Sequence, residues 1–417
     1  MIGCVVLTVS ASDKLREIFW GHIIYYSLGA LFLVVGLALI NASLKAMNAP
    51  EPGGKAKCRR WLMPALSSLW FLLCSLNGLQ ALVTFALPSV AGLAGERFLD
   101  KKTPLRAAGN YRAMTYILFL LVATCVGVGL GGILGKGIPQ GYFDAYSGFS
   151  APGDWFSNLS HLMENWLTLL GVDVTAGDRL TNAAGIANLL RIGFGLLLAA
   201  VPVAAALCYR RFRDRSLRIL VLTHWALAAL LLFANVFGML SNANWRLSPL
   251  VASSVIVLVA FSRWLWKESG FRRMALIPLI PALVICLLVA GTIVRMPKDI
   301  HQQQGLPAVT DYLETQGLTY GFGTFWNANA VTVLSDSAVK VRDIEIVTDR
   351  QTVVPRHYQS QGKWYEPQEG QDRYFLLLTR WEYDNLGGTG NPLLASAAET
   401  LEFQDYRIVV LPSFPFS

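Results

Sequence analysis

Over 417 residues the chain is 54% hydrophobic and only 15% charged, with a mean hydropathy of +0.44, a composition that excludes an ordinary soluble domain. Lys and Arg outnumber Asp and Glu by 35 to 27, a formal +8, but the excess lies beside apolar runs, where it signals topology rather than a nucleic-acid-binding face. Membrane lipid is the expected partner, and no nucleic acid is expected.

The first stretch, Met1–Ala11 (MIGCVVLTVSA), is apolar but at 1.5 Å per residue reaches only about half the hydrocarbon thickness. It has no basic region to make a signal peptide. Runs long enough for a span of about 20 helical residues recur at 21–43, 113–134, 186–208, 217–239, 247–265 and 275–295. Trp61–Gly95 is too long for one span and carries the turn pair Asn77-Gly78, which predicts two short antiparallel helices. Basic residues gather in the connections Lys45–Arg60, Glu96–Arg112, Arg210–Arg218 and Arg263–Arg273. The connection Lys136–Gly185 instead carries Asp144, Asp154, Glu164, Asp173 and Asp178 against Arg179. Basic span ends stay cytoplasmic, and all five connections obey that rule only if Trp61–Gly95 crosses twice. The fold class that follows is a polytopic α-helical membrane protein of about eight spans over 1–296, with an outer loop at 138–185 and both chain ends outside.

Several polar groups in this region invite a functional reading. The stretch Asp154–Leu170 places Trp155, Leu159, Leu162, Trp166, Leu169 and Leu170 on one helical face and Ser157, His161, Glu164, Asn165 and Thr168 on the other. It reads either as an interfacial helix or as one presenting His161 and Glu164 as an acid/base pair. Asn158-Leu159-Ser160 matches a glycosylation acceptor, a motif common by chance. His22 and His224 lie in or beside spans, and His22 is near the outer interface beside Trp20, Tyr25 and Tyr26. Arg246, in SNANWRLSP, stands at the outer mouth of a span, where a guanidinium can hold a phosphate bidentately. Asn242 and Asn244 could add hydrogen bonds to it. The alternative is an arginine snorkelling to headgroups.

After Val294 no further span appears, and 297–417 is expected to fold as a small extracytoplasmic α/β domain. From Lys298 to Arg407 it holds nine basic and fifteen acidic residues, a net of −6. Helices are predicted at Leu306–Gln316 and Asn327–Leu334, and strands at Leu318–Phe322, Val339–Val347, Tyr374–Thr379 and Arg407–Leu411. In LTYGFGTFWNANAVTVLSD (Leu318–Asp336), Gly321-Phe322-Gly323 resembles the start of a dinucleotide fingerprint. The third glycine is missing, and bulky side chains stand where backbone must approach a pyrophosphate. Glycines that let a strand turn into a helix account for it. A further reading has Tyr320, Phe325, Trp326 and Asn327 lining a surface suited to a sugar ring or the membrane interface. Cys74, Cys125, Cys208 and Cys286 lie in spans, Cys4 in the apolar N-terminal stretch and Cys58 in a cytoplasmic loop, so neither a disulfide framework nor a metal-ligand spacing is expected.

The outer loop with its helix at Asp154–Leu170, the NWRLSP start to a late span (Asn244–Pro249) and the outer α/β domain with FGTFWNANAVTVLSD together resemble the C-terminal part of bacterial GT-C-fold glycosyltransferases. The similarity is to the protein mannosyltransferase and lipid A aminoarabinose transferase families. That resemblance implies a bacterial plasma-membrane location, a polyprenyl-phosphate-linked sugar as donor substrate with no other cofactor, and Arg246 as a donor-phosphate contact. Those families carry a catalytic Asp or Glu in a large outer loop after their first span. Here only Asp13 and Glu17 precede the first clear span, which suggests a fragment, or one half of a split enzyme with an N-terminal partner chain. The competing expectation is a non-catalytic membrane anchor or assembly partner that presents the α/β domain.

Overall fold

A computed structural model describes residues 11–21, 27–48, 54–99, 108–136, 148–175, 179–240, 244–268, 270–295, 305–357 and 360–416. The chain divides after Val294 into a helical unit and a C-terminal α/β unit.

The helical unit is built from α1 (Leu28–Asn48), α2 (Gly54–Ser75), α3 (Leu79–Leu99), α4 (Ala108–Leu134), α5 (Trp155–Leu169), α6 (Ala183–Leu207), α7 (Arg215–Val236), α8 (Ser248–Lys267) and α9 (Leu276–Arg295). Seven helical stretches are long and apolar enough to cross a membrane, namely α1, α3, most of α4, α6, α7, and α8 and α9 with their leading turns. Length and composition of this kind suggest an integral membrane protein, because in hydrocarbon a helix satisfies its own backbone groups. The helix α2 falls outside that set. Its N-terminal turns carry Lys55, Lys57, Arg59 and Arg60, and Pro64 interrupts it.

The predicted turn at Asn77-Gly78 is present, with Gly78 at φ +62°, but its arms do not pair along their length. The helix α2 packs between α1 and α4, and α3 packs on α7. Arg60 donates to the Met47 carbonyl at 3.1 Å and Trp70 to that of Phe32 at 3.2 Å, so α1 and α2 run antiparallel. Arg215 meets Glu96 at 2.8 Å while Gly92 lies against Thr223, so α3 and α7 are antiparallel too. Trp225 donates to the Pro202 carbonyl at 3.3 Å, tying α6 to α7. Phe212, just before α7, packs edge-on against Trp264 near the end of α8 at 4.9 Å. The helix ends that flank the four basic connections therefore gather at one end of the unit.

The first span differs from its predicted range of 21–43, since α1 begins at Leu28 and runs to Asn48. Glu17–Gly21 instead continues a short helical segment from Asp13. Ala11, Leu15 and Ile18 of that segment are buried in one cluster with Trp166, Leu169 and Leu170. Ser12 fixes it there, donating from Oγ to the Leu169 carbonyl at 2.6 Å.

In the α/β unit, β1 (Tyr320–Thr324), β2 (Lys340–Val347), β3 (Thr352–Pro355), β4 (Tyr374–Thr379), β5 (Glu399–Phe403) and β6 (Tyr406–Leu411) form one sheet in the order β3-β2-β1-β4-β6-β5. The central β1 is parallel to β2 and β4, and the outer pairings are antiparallel. One face carries an aromatic core around Phe322, Tyr365, Tyr374, Phe414 and Phe416. The other is covered by α10 (Leu306–Thr315) and α11 (Phe325–Leu334), through Val309, Leu313, Ala328 and Val331 against Val341, Phe375 and Leu377. The edge strands β3 and β5 were not foreseen. The sequence TVVP is short and ends in proline, and ETLEF interleaves acids, so neither has the apolar run of an interior strand.

Candidate functional site

Two regions gather the polar groups singled out in the sequence. The first lies where α5 joins the helical bundle. Its buried stripe is Asn158, Trp166 and Leu169 with half-buried Leu162, whereas Phe156, Leu159 and Met163 are exposed. Leu159 thus faces out rather than with the buried apolar stripe. The exposed apolar row suits an interfacial helix. Asn158 is no glycosylation acceptor in this fold: at 6% exposure it donates to the Val236 carbonyl at 3.1 Å, and its own carbonyl accepts from Asn235 at 2.8 Å. These bonds tie α5 to the end of α7. Glu164 is exposed and His161 half-buried, one turn apart as predicted.

Against α5 sits the single 3₁₀ turn Asn244–Leu247, which leads into α8 with Pro249 in the first helical turn. Trp245 and Leu247 pack into the cluster that holds Trp166, and this anchoring leaves Arg246 half-buried at the head of an apolar helix. Beside it, the buried Oδ1 of Asn244 has no hydrogen-bond partner among the described residues. Rotating that amide by half a turn would present a donor in the same place. Asn242 and His22 lie outside the described residues. His224 is buried between α7 and α8, its Nδ1 2.9 Å from Ser253 Oγ, which makes it an interhelical hydrogen bond rather than an open group. Asp13 pairs with Arg16, and Glu17 with Lys14 at 3.0 Å.

The second region is the carboxyl edge of the sheet. The connection from β1 leads through α11 to β2 on one side, and that from β4 leads through α12 (Arg380–Asn385) toward β5 and β6 on the other. Neighbouring parallel strands with diverging connections form a switch point, where open α/β sheets present their binding crevice. Glu382 spans it. One carboxylate oxygen accepts from Thr324 Oγ1 and the other from the Thr379 backbone N–H, both at 2.7 Å. The second bond closes a capping box on α12. Asn327 donates to Thr324 Oγ1 at 3.2 Å, so the threonine hydroxyl is turned to the crevice instead of capping α11. In register with Gly323, Asp343 is 2% exposed with Arg356 Nε 3.6 Å away, and that guanidinium lies over the Phe325 ring at 4.8 Å. Burial pushes the Asp343 carboxyl up to about 6, Arg356 pulls it down, and Glu345 adds to the rise.

The structure does not bring Tyr320, Phe325, Trp326 and Asn327 together as one surface. Tyr320 is buried in the aromatic core, its hydroxyl donating to the Trp364 carbonyl at 2.9 Å. Asn327 is buried and bonded to Thr324. Trp326, 63% exposed, stands edge-on to Phe325 at 5.3 Å. The glycines of Gly-Phe-Gly serve packing within the sheet: a Cβ on Gly321 would lie 2.5 Å from the Phe375 ring, and one on Gly323 would lie 3.1 Å from the Leu377 carbonyl oxygen. Sequence reasoning missed Glu382, Asp343, Arg356 and Thr324. The one local signal was Thr379-x-x-Glu382, a capping-box spacing after an apolar run.

These features define a class: a largely helical protein with seven apolar helices of membrane-spanning length and a C-terminal mixed-sheet α/β unit. Comparisons with protein families, with curated proteins and with solved structures find no match to this chain. Among the described residues no group of three or more His, Cys, Asp and Glu could hold a metal ion.

Proposed function

We propose that the chain is a membrane glycosyltransferase-like protein of GT-C type that engages a polyprenyl-phosphate-linked sugar where Asn244–Leu247 meets α5. The observation that carries this reading is the half-buried Arg246, held at the head of an apolar helix by Trp245 and Leu247. A guanidinium there can grip two phosphate oxygens while an isoprenoid tail lies along the apolar helices. The proposed topology has eight crossings in a bacterial plasma membrane, counting α2, with both ends extracytoplasmic. It is supported by the gathering of the basic connections at one end, which the charge rule assigns to the cytoplasm.

A second reading, a non-catalytic anchor presenting the α/β unit, is favoured by the ion pairs that occupy Asp13 and Glu17. Displacement of labelled undecaprenyl phosphate from the purified chain in nanodiscs separates the two. On the glycosyltransferase reading Arg246→Met weakens binding by about 1.5–3 kcal/mol, the scale of a hydrogen bond to a charged group, and Arg246→Lys falls between Met and the parent. Identical curves for all three proteins, or no saturable binding by the parent, would overturn the donor-site assignment and put the anchor reading first.

A further inference from the structure

At the opposite end of the helical unit, a groove of about 300 Å³ runs between α1, α7 and α8. Ala38, Ile219 and Ile256 are among its walls, and its lining is apolar except where Ser216 donates to Asn41 Oδ1 at 2.6 Å. All three helices are long and apolar enough to cross a membrane, so the medium around the groove is lipid chain. Helical spacing sets a cation beyond the groove on α1 and on α8, and a third stands in the link just before α7. Lys45 is one turn past Asn41 on α1, Arg213 comes three residues before Ser216, and Arg263 is two turns past Ile256 on α8. All three are exposed, and none is in an ion pair among the described residues. Two of the acids at this end are otherwise engaged: Asp214 caps α7 by accepting from the Ser216 N–H at 2.8 Å, and Glu96 holds Arg215.

We infer that this groove binds an anionic phospholipid, with one acyl chain between α1, α7 and α8 and the phosphate held by Lys45, Arg213 and Arg263. An apolar slot that ends in a polar pair and then in three cations matches the order of such a lipid: chain, ester region, phosphate. Cations that act only as diffuse surface charge would attract anionic lipids without seating a chain, so filling the groove would leave the retained lipid in place. The site lies at the end away from Arg246 and does not depend on the glycosyltransferase reading.

The test is native mass spectrometry of the full chain in neutral detergent, titrated with dioleoyl-phosphatidylglycerol or dioleoyl-phosphatidylcholine. The parent is expected to retain one phosphatidylglycerol with at least about tenfold lower Kd than phosphatidylcholine, a difference of about 1.4 kcal/mol. Combining Lys45→Gln, Arg213→Gln and Arg263→Gln should erase that preference. Filling the groove with Ala38→Phe, or from another helix with Ile256→Phe, should remove the retained lipid while the lipid-free melt shows the fold intact. Equal retention of the two lipids by the parent overturns the inference, as does an unchanged preference in the charge variant. So does phosphatidylglycerol retention by a folded groove variant. The charge variant changes only exposed positions, so it decides the question even where a groove substitution prevents folding.

Discussion

Both units bury apolar clusters, but the helical unit also leaves a face of large apolar side chains exposed. On α4 the large residues Leu118, Phe119, Leu130 and Ile133 are exposed, while Gly127 faces the carbonyl of Leu72 in α2 and Gly131 that of Leu76 just after it. In the α/β unit, Phe322, Phe375 and Leu376 are wholly buried, and the charged residues of β2 and β5 that face outward meet solvent. The difference follows from the surroundings. Water drives apolar groups inward at roughly 25 cal/mol per Å². Lipid chains exert no such drive, so helices associate by close approach at small residues and through interhelical hydrogen bonds, such as those of Tyr116 with Ser67 and Ser216 with Asn41.

The largest expected effect contrasts two phenylalanines. Phe322→Ala should destabilise the α/β unit by about 3–5 kcal/mol, the cost of truncating a buried aromatic, because its ring contacts Tyr365, Tyr374, Phe414 and Phe416. Phe119→Ala, on the exposed face of α4, should leave the helical unit's melt in nanodiscs almost unchanged. Hydrogen exchange resolved by peptide assigns each change to its unit. Equal losses at both positions would show that α4 is covered by protein rather than lipid.

Asp343 gives the next effect, and it depends on pH. Its carboxyl is raised from 3.8 to about 6, so the folded state keeps a proton that the unfolded chain has already released. Stability is therefore full below about pH 4, falls as pH rises through the window from 3.8 to 6, and is flat above it. At 1.36 kcal/mol per unit the loss is roughly 3 kcal/mol. Asp343→Asn should flatten that slope and leave β2 better protected at pH 7.5 than in the parent. Protection of β2 that rises between pH 4 and 6 would show that Arg356, rather than burial, sets this carboxyl.

Smaller again is the effect of adding one methyl group at a helix contact. A Cβ on Gly92 of α3 would meet the Thr223 hydroxyl, with the Thr223 nitrogen 2.8 Å and the Ile219 carbonyl oxygen 3.0 Å away. Backbone atoms cannot rotate aside, so Gly92→Ala should cost about 1–3 kcal/mol. Gly129→Ala on α4, where nothing lies within 4 Å, should be neutral or stabilising by up to about 1 kcal/mol through helix propensity. The helical melt in nanodiscs reads both. A neutral Gly92→Ala would remove close approach as the basis of α3–α7 packing.

How much of this was legible in the sequence divides along the same line. Apolar runs located the membrane helices, and Asn77-Gly78 located a real turn, because length and hydropathy are local properties. The bounds of α5 were readable from its periodicity. Its buried face was readable at Leu162, Trp166 and Leu169 but not at Asn158, which looks polar and exposed until its partners on α7, Asn235 and Val236, are known. The switch point was illegible for the same reason. Thr324 and Glu382 are 58 residues apart, and only the strand order brings them together. The strands β3 and β5 were missed because an edge strand needs one pairing partner and no long apolar run. The predicted start at Gly21 falls instead at the end of the short helical segment whose Leu15 and Ile18 pack on α5, and α1 begins at Leu28.

The smallest expected effect is at Trp326, which the sequence reading placed on a surface and whose side chain is largely open at the first turn of α11. Substitutions at such positions stay within about 0.5 kcal/mol, so Trp326→Ala should leave the exchange protection of β1 and α11 as in the parent. Asn327→Ala, one residue on, removes the bond to Thr324 Oγ1 and a buried amide. It should cost about 1 kcal/mol, the net contribution of one hydrogen bond. The adjacent pair thus separates a residue that holds the carboxyl edge of the sheet together from one whose side chain is largely exposed there. A loss of protection in Trp326→Ala as large as in Asn327→Ala would make Trp326 part of the packing and remove it from any binding surface.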